Sequence, residues 1–364
     1  MASPRAFAAA ARPRVAIVGG GVAGLTAADE VARRGATVTL FEQARLGGRL
    51  GTMAMPAPAG PRALRVDMAC VYMKEGKTAA FREHLAALEA RGAVGRWRPA
   101  SVALTGPGSW EPLPAQDEPW YVGTPCMEDF AVPARSEVRV QRARILDIAA
   151  ADGRWTLRSL VEEASAVKSV AQNDAFEAVV LAVQALEAVR LWPPLAERLP
   201  EPELLKQDFL KARFSIAVAF AGQTLAPFDL ALPQGSPISL MFNASSRPRV
   251  ELKPSPHSIW VAQTSTEWAA KRAEALESSS ELVKAELREE VLRLLGQMVS
   301  APPVTSQIAL WRYGDSDYEL PDGHVFCDRS RIAAAGDWCY TGRVEGAWCS
   351  GLAAARSVCK ALEI

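Results

Sequence analysis

Residues 14–42 read RVAIVGGGVAGLTAADEVARRGATVTLFE, and this stretch decides the fold. Its first five residues are a short apolar run rich in β-branched side chains, the pattern of a strand buried on both faces. Gly19, Gly21 and Gly24 then fit G-x-G-x-x-G. A helical stretch follows with Leu25, Ala28 and Val31 on one face and stops at Gly35. The next strand, ATVTLFE, ends on the acid Glu42. Each part has a mechanical use. Gly19 permits the tight turn out of the strand, Gly21 lets a pyrophosphate approach bare backbone, and Gly24 lets the helix pack closely on the strand. The helix start offers free N–H groups and partial positive charge to phosphate. Glu42 stands where an acid takes ribose hydroxyls, which disfavours a 2′-phosphate there. The strand–helix–strand–acid order predicts a dinucleotide-binding α/β unit for FAD or NAD rather than NADP. The bland alternative, a glycine-rich turn in an unrelated α/β fold, does not account for that order.

Composition sets the outer limits. The chain has 364 residues, room for two domains. It carries 41 basic and 41 acidic residues, so a nucleic-acid partner is not expected. No apolar run is long enough to span a membrane. The six Cys form no C-x-x-C and the three His sit at no metal-ligand spacing, so no metal is expected and the thiols read as reduced. The expected location is the cytoplasm, or an organelle if the Arg- and Ala-rich start MASPRAFAAAARPR belongs to a targeting sequence.

ARLGGRLGT, residues 44–52, separates FAD from NAD. A Gly-Gly-Arg loop follows the acid-tipped strand at once, where a simple NAD domain would begin another crossover. Gly47 and Gly48 give bare backbone and Arg49 offers charge to a pyrophosphate; a solvated Arg on a surface loop is the alternative. Together, VGGGVAGL and TLFEQARLGGRLGT resemble the FAD-binding start of the flavin amine oxidase superfamily, and within it the renalase-like family. That resemblance covers residues 14–75 and 330–362. It implies a glutathione-reductase-type Rossmann-like FAD domain with a second, antiparallel-sheet α+β substrate domain. The family's D-x-G-A-Q-Y segment, which runs beside the flavin, has its counterpart in RVDMACVYM (65–73). Asp67 and Tyr72 match. Ala69, Cys70 and Val71 depart from Gly, Ala and Gln, adding a methyl group and removing an amide.

The middle of the chain is less patterned. Residues 77–91 have helical spacing through Ala80, Phe81, Leu85 and Leu88. VRVQRARILDIAA and RWTLRSLV flank Asp152-Gly153, a hairpin turn signal, and FEAVVLAV (176–183) is another buried strand. The resemblance implies a β-meander here, with a backbone contact to adenine at Ile145. FSIAVAF, PISLMF and SIWVAQT suit an antiparallel sheet, and a long helix is expected over 266–298 with Leu276, Leu282, Leu287, Val291, Leu294 and Leu295 on its apolar stripe. Trp260, Trp268, Trp311 and Tyr313 belong either to the core or to a substrate cavity.

The chain closes on RIAAAGDWCYTGRVEGAWCSGLAAARSVCKAL, similar to the C-terminal signature of the same family. Gly336-Asp337 ends a small-residue strand; by resemblance the acid takes ribityl hydroxyls. Val344, Trp348, Leu352, Ala355, Cys359 and Leu362 form a helical stripe. The other face, with Gly346, Ala347, Ser350, Gly351 and Ala354, is built to lie close to something flat. N–H groups at the Arg343, Val344, Glu345 turn, with the helix dipole, suit the negative charge of a reduced flavin. The candidate FAD contacts are therefore Gly19, Gly21, Val22, Ala23, Gly24, Glu42, Gln43, Gly48, Arg49, Leu50, Ala69, Cys70, Val71, Ile145, Gly336, Asp337, Arg343, Val344 and Glu345; no side chain stands out as a catalytic acid or base. The FAD domain is expected from 1–76, 137–190 and 325–364, and the substrate or cap domain from 77–136 and 191–324. The resemblance implies an FAD-dependent oxidase that takes hydride from a small reduced substrate, a nicotinamide dinucleotide or an amine, with oxygen reoxidising the flavin to give hydrogen peroxide. The altered 69–71 segment supports a second reading, a weak or inactive FAD-fold protein serving as a structural or interaction subunit with a protein partner.

Overall fold

A computed structural model describes residues 12–56, 63–131, 137–162, 168–172, 175–199, 211–248, 257–272, 276–315, 319–340 and 342–364. The start of the chain, on which the targeting expectation rests, lies outside them up to residue 11.

RVAIV forms the strand Arg14–Val18 at the centre of a six-stranded sheet. Across the sheet the strands run Val325–Cys327, Ile332–Ala334, Ala178–Leu181, Arg14–Val18, Thr37–Glu42 and Val138–Arg142. All neighbours are parallel except the first pair. Alternation along the central strand feeds two cores. Val15 and Ile17 pack with the first helix, Val22–Arg33, and the last, Val344–Ala361, through Ala27, Val31, Ala354 and Val358. Ala16 and Val18 face the other way, onto Leu157 and the helix Ala185–Leu191. Leu157 belongs to a three-stranded meander, Arg144–Ala151, Arg154–Glu162 and Lys168–Gln172. Its first turn is the two-residue Asp152-Gly153 link, both residues at positive φ (52° and 73°), the conformation a type I′ hairpin needs.

A seven-stranded sheet forms the second layer, in the order Pro303–Asp315, Lys211–Ala221, His257–Thr264, Ile238–Asn243, Leu230–Pro233, Ser101–Gly106 and Ser109–Pro112. It is antiparallel apart from the pairing of Leu230–Pro233 with Ser101–Gly106. Its two faces also divide by alternation. Phe214, Ile216, Val218, Trp260 and Ala262 pack on Leu287, Val291 and Leu294 of the helix Leu276–Leu295. Ala217, Ala219, Ile259, Val261 and Phe242 turn toward the nucleotide-fold core. The long helix expected over 266–298 is instead a short helix Thr266–Ala270, capped by Ser265, and the separate helix Leu276–Leu295. Leu282 does not join its buried stripe; it is 73% exposed. No described helix is long and apolar enough to cross a membrane.

Candidate cofactor site

The cavity between the two sheets measures about 1620 Å³, above the size range of ordinary small-ligand pockets. Every candidate contact named from the sequence lines it except Gly24. Gly24 acts in packing instead. A Cβ there would sit 1.9 Å from the Gly19 carbonyl oxygen, so only glycine lets the first helix start this close to the strand. At Gly21 a Cβ would meet nothing within 4 Å; its bare backbone faces open space beside the cavity wall.

Glu42, at the tip of its strand, folds back over this loop. Its Oε2 accepts from the Gly20 N–H at 2.7 Å and Oε1 from the Ala44 N–H at 2.8 Å. The Gly47 N–H donates to the Gly20 carbonyl at 2.7 Å, which places the Gly-Gly-Arg loop against the first glycine loop. Ile145 lies beyond Glu42, buried, with its carbonyl accepting from Arg190 at 3.2 Å. Gln43 lines the same end.

Arg49 joins three parts of the wall. Its Nη2 donates to Asp337 Oδ1 at 2.5 Å, and Nη1 donates to the Tyr313 and Gly314 carbonyls at 2.9 Å each. The two residues assigned from the sequence to separate cofactor groups therefore stand side by side, 288 positions apart in the chain. Asp337 is 7% exposed and sits where the strand Ile332–Ala334 runs out, the Gly336 N–H donating to Ser350 Oγ of the last helix at 3.0 Å.

That last helix begins at Val344 after Arg343, with no side chain capping its first N–H groups. The Glu345 carboxylate is turned away from that role. It accepts from the backbone N–H groups of Lys77 (2.9 Å) and Thr78 (2.7 Å), tying the last helix to the start of the helix Ala79–Ala90. Backbone, not the carboxylate, is what this turn offers the cavity. The small-residue face also has a different partner from the one its sequence suggests. It lies on the first helix: a Cβ at Gly351 would be 2.2 Å from the Ala23 carbonyl oxygen.

Residues 69–72 line the side toward the seven-stranded sheet, and Asp67 and Met68 anchor them from behind. Asp67 is buried, accepting from Thr52 Oγ1 (2.6 Å), Arg247 Nη1 (2.8 Å) and the Met127 N–H (3.2 Å). The Met68 and Ala69 carbonyls both accept from Gln263 Nε2. The Cys70 N–H donates to the Arg49 carbonyl at 3.2 Å. Burial pushes the Cys70 thiol up to about 12, so it stays protonated at neutral pH. Val71 is 4% exposed and packs into the main core. Tyr72 stacks on Trp120, ring centres 3.7 Å apart. Burial raises its phenol, against the nearby charge of Arg343. Of the four aromatics left open by the sequence, Trp260 is core and Trp268 packs beside it, while Trp311 and Tyr313 line the cavity. Arg247 and Gln263 carry no signal in the sequence; they reach this segment from strands and turns far along the chain.

Known proteins resemble this chain in sequence over part of its length and in fold over nearly all of it. The family described as NAD(P)-binding Rossmann-like domain matches residues 17–82. A 123-residue stretch is 34% identical to 3-amino-4-hydroxybenzoate 2-monooxygenase PtmB3 of Streptomyces platensis, spanning 34% of this chain and 25% of that protein. The chain thus matches only a quarter of that relative's length. Cyclohexylamine oxidase from Brevibacterium oxydans superposes with a TM-score of 0.64 at 11% identity, covering 97% of this chain and all of that one. Putrescine oxidase bound to putrescine gives 0.60 at 12% identity over 97% and 99%. The chain has the Rossmann-like fold of these amine oxidases.

Proposed function

We propose that the chain is an FAD-dependent oxidoreductase of the amine oxidase type, and that FAD lies along this cavity. One observation carries the reading: the glycine loop, Glu42, Arg49, Asp337 and the uncapped start of the last helix line one continuous cavity. Backbone N–H groups after Gly21 would hold the pyrophosphate. Glu42 would take the adenosine ribose, the backbone at Ile145 the adenine edge, and Asp337 the ribityl chain. Arg49 brings a planar guanidinium to the same wall, a group suited to phosphate. When bound, the flavin supplies hydride acceptance and reaction with oxygen; the protein supplies position and electrostatics. The N–H groups of Val344 and Glu345 place positive potential at one end of the cavity. Trp311, Tyr313, Tyr72 and Leu240 form an aromatic and apolar wall on the side toward the second sheet.

The substrate in this reading is a small reduced molecule, a nicotinamide dinucleotide or an amine, and the second product is hydrogen peroxide. Segments 1–76, 137–190 and 325–364 hold FAD, and 77–136 and 191–324 cover the substrate. Purified protein should absorb near 450 nm or acquire that band with added FAD; a colourless protein that refuses FAD overturns the reading. Anaerobic bleaching by a panel of nicotinamides and amines then tests turnover, and a flavin that none of them bleaches favours the structural-subunit reading.

Arg49→Ala should weaken FAD binding. A charge-assisted hydrogen bond contributes about 1.5–3 kcal/mol, so Kd should rise roughly tenfold or more. Equilibrium dialysis of folded apoprotein measures it, and a Kd within twofold of wild type removes Arg49 from the phosphate site.

A further inference from the structure

Gln263 is a buried polar side chain of the second sheet that the cofactor reading does not use. It is 8% exposed and lines the cavity from the strand His257–Thr264. Its Nε2 stands 2.8 Å from the Met68 carbonyl oxygen and 2.6 Å from that of Ala69. Two carbonyls can only be met by the NH₂ end of an amide, so the orientation of the group is fixed by its partners. Both donors are thereby used. The remaining atom, Oε1, is an acceptor with two lone pairs, and among the described residues nothing donates to it. Its flanks are apolar or already engaged: Leu240 is its register partner on one side, and on the other Ser215, whose Oγ accepts from Trp311 Nε1 at 3.1 Å. Gln263 lines the cavity, and the amide cannot rotate without giving up its two short bonds to the Met68 and Ala69 carbonyls.

We infer that Gln263 Oε1 is a fixed hydrogen-bond acceptor for an N–H or O–H group of the molecule held in this cavity. The inference rests on the FAD reading and deepens it: either the flavin ring, which carries an N–H, or the substrate brings the donor. Gln263 is then a positioning and selectivity residue, holding the 68–69 backbone with one end of its amide and orienting a bound ring with the other. A partner with a neutral planar donor is favoured over an ammonium ion, because an amide oxygen supplies no countercharge.

Two substitutions separate this role from a merely structural clamp. Gln263→Lys keeps donors for the two carbonyls and removes the acceptor; Gln263→Met removes both. Each is purified, loaded with FAD and titrated with benzamide, a neutral aromatic donor, following the flavin absorption band. If the donor is the flavin, Gln263→Lys shifts that band and raises the FAD Kd about tenfold before any benzamide is added. If the donor is the substrate, FAD affinity and spectrum hold and the benzamide Kd rises about tenfold in both variants. A thermal melt reports the clamp: Tm falls more in Gln263→Met than in Gln263→Lys. Gln263→Lys protein whose FAD and benzamide constants both stay within twofold of wild type overturns the inference, as does wild-type protein that binds FAD but no benzamide with an unchanged flavin band in Gln263→Lys. Wild-type protein that takes up no FAD overturns both this inference and the function it rests on.

Discussion

Asp67→Ala should lower the unfolding free energy by about 3–5 kcal/mol, read as a drop in the urea midpoint at unchanged slope. Asp67 and Arg247 form an ion pair with side chains only 5% and 4% exposed. The Arg247 guanidinium lies over the Phe242 ring at 4.7 Å and near Trp97 at 5.8 Å. Removing the carboxylate takes the Asp67 charge away from that buried cation, and also strips acceptors from Thr52 Oγ1 and the Met127 N–H. The double variant Asp67→Ala/Arg247→Met should recover a good part of the loss, because the stranded charge goes with its partner. A single-variant loss below about 1 kcal/mol, the range of exposed pairs, would mean that water reaches the pair and that its burial is not what makes it matter. The pair also joins the hairpin of Thr52–Met55 and Leu64–Asp67 to the turn after Ile238–Asn243, so FAD release should accompany the destabilisation.

Gly351→Ala is the second large effect. The added Cβ would stand 2.2 Å from the Ala23 carbonyl oxygen and 2.8 Å from its Cα. Those are backbone atoms of the first helix, so no rotamer change relieves the clash and the two helices must separate. Overpacking of this kind costs about 1–3 kcal/mol. Because Ala23 lies in the first turn of the helix whose start would hold the pyrophosphate, FAD affinity should fall together with Tm. Arg356→Ala, on the exposed face of the same helix, should stay within about 0.5 kcal/mol of wild type. Equal Tm values for the two variants would show that the helices part at little cost.

What the sequence displayed was local. Gly19, Gly21 and Gly24 announce themselves because a strand, a turn and a helix must follow one another within a few residues, and each demands its own residue type. Asp152-Gly153 was legible for the same reason: both positions need positive φ. The small residues around Gly351 promised close approach, but small size carries no address, and the neighbour turned out to be Ala23. Glu345 lines the cavity while its carboxylate bonds to Lys77 and Thr78, a choice made by the packing of one helix start against another. Arg247 and Gln263 left no trace. Their partners lie 180 and 194–195 positions away, and no periodicity links a residue to a contact that only sheet stacking creates. The expected helix over 266–298 erred where apolar spacing continued through a break after Ala270.

The Arg49–Asp337 contact has a consequence in time. The two residues are 288 positions apart, so at about 5–20 residues per second of synthesis the ribosome adds Asp337 roughly a quarter of a minute to a minute after Arg49. During that interval the first helix has been synthesised and the helix that packs on it in the fold, through Ala354 and Val358, has not. The nascent chain must wait with half a site in hand until the last strand and helix arrive.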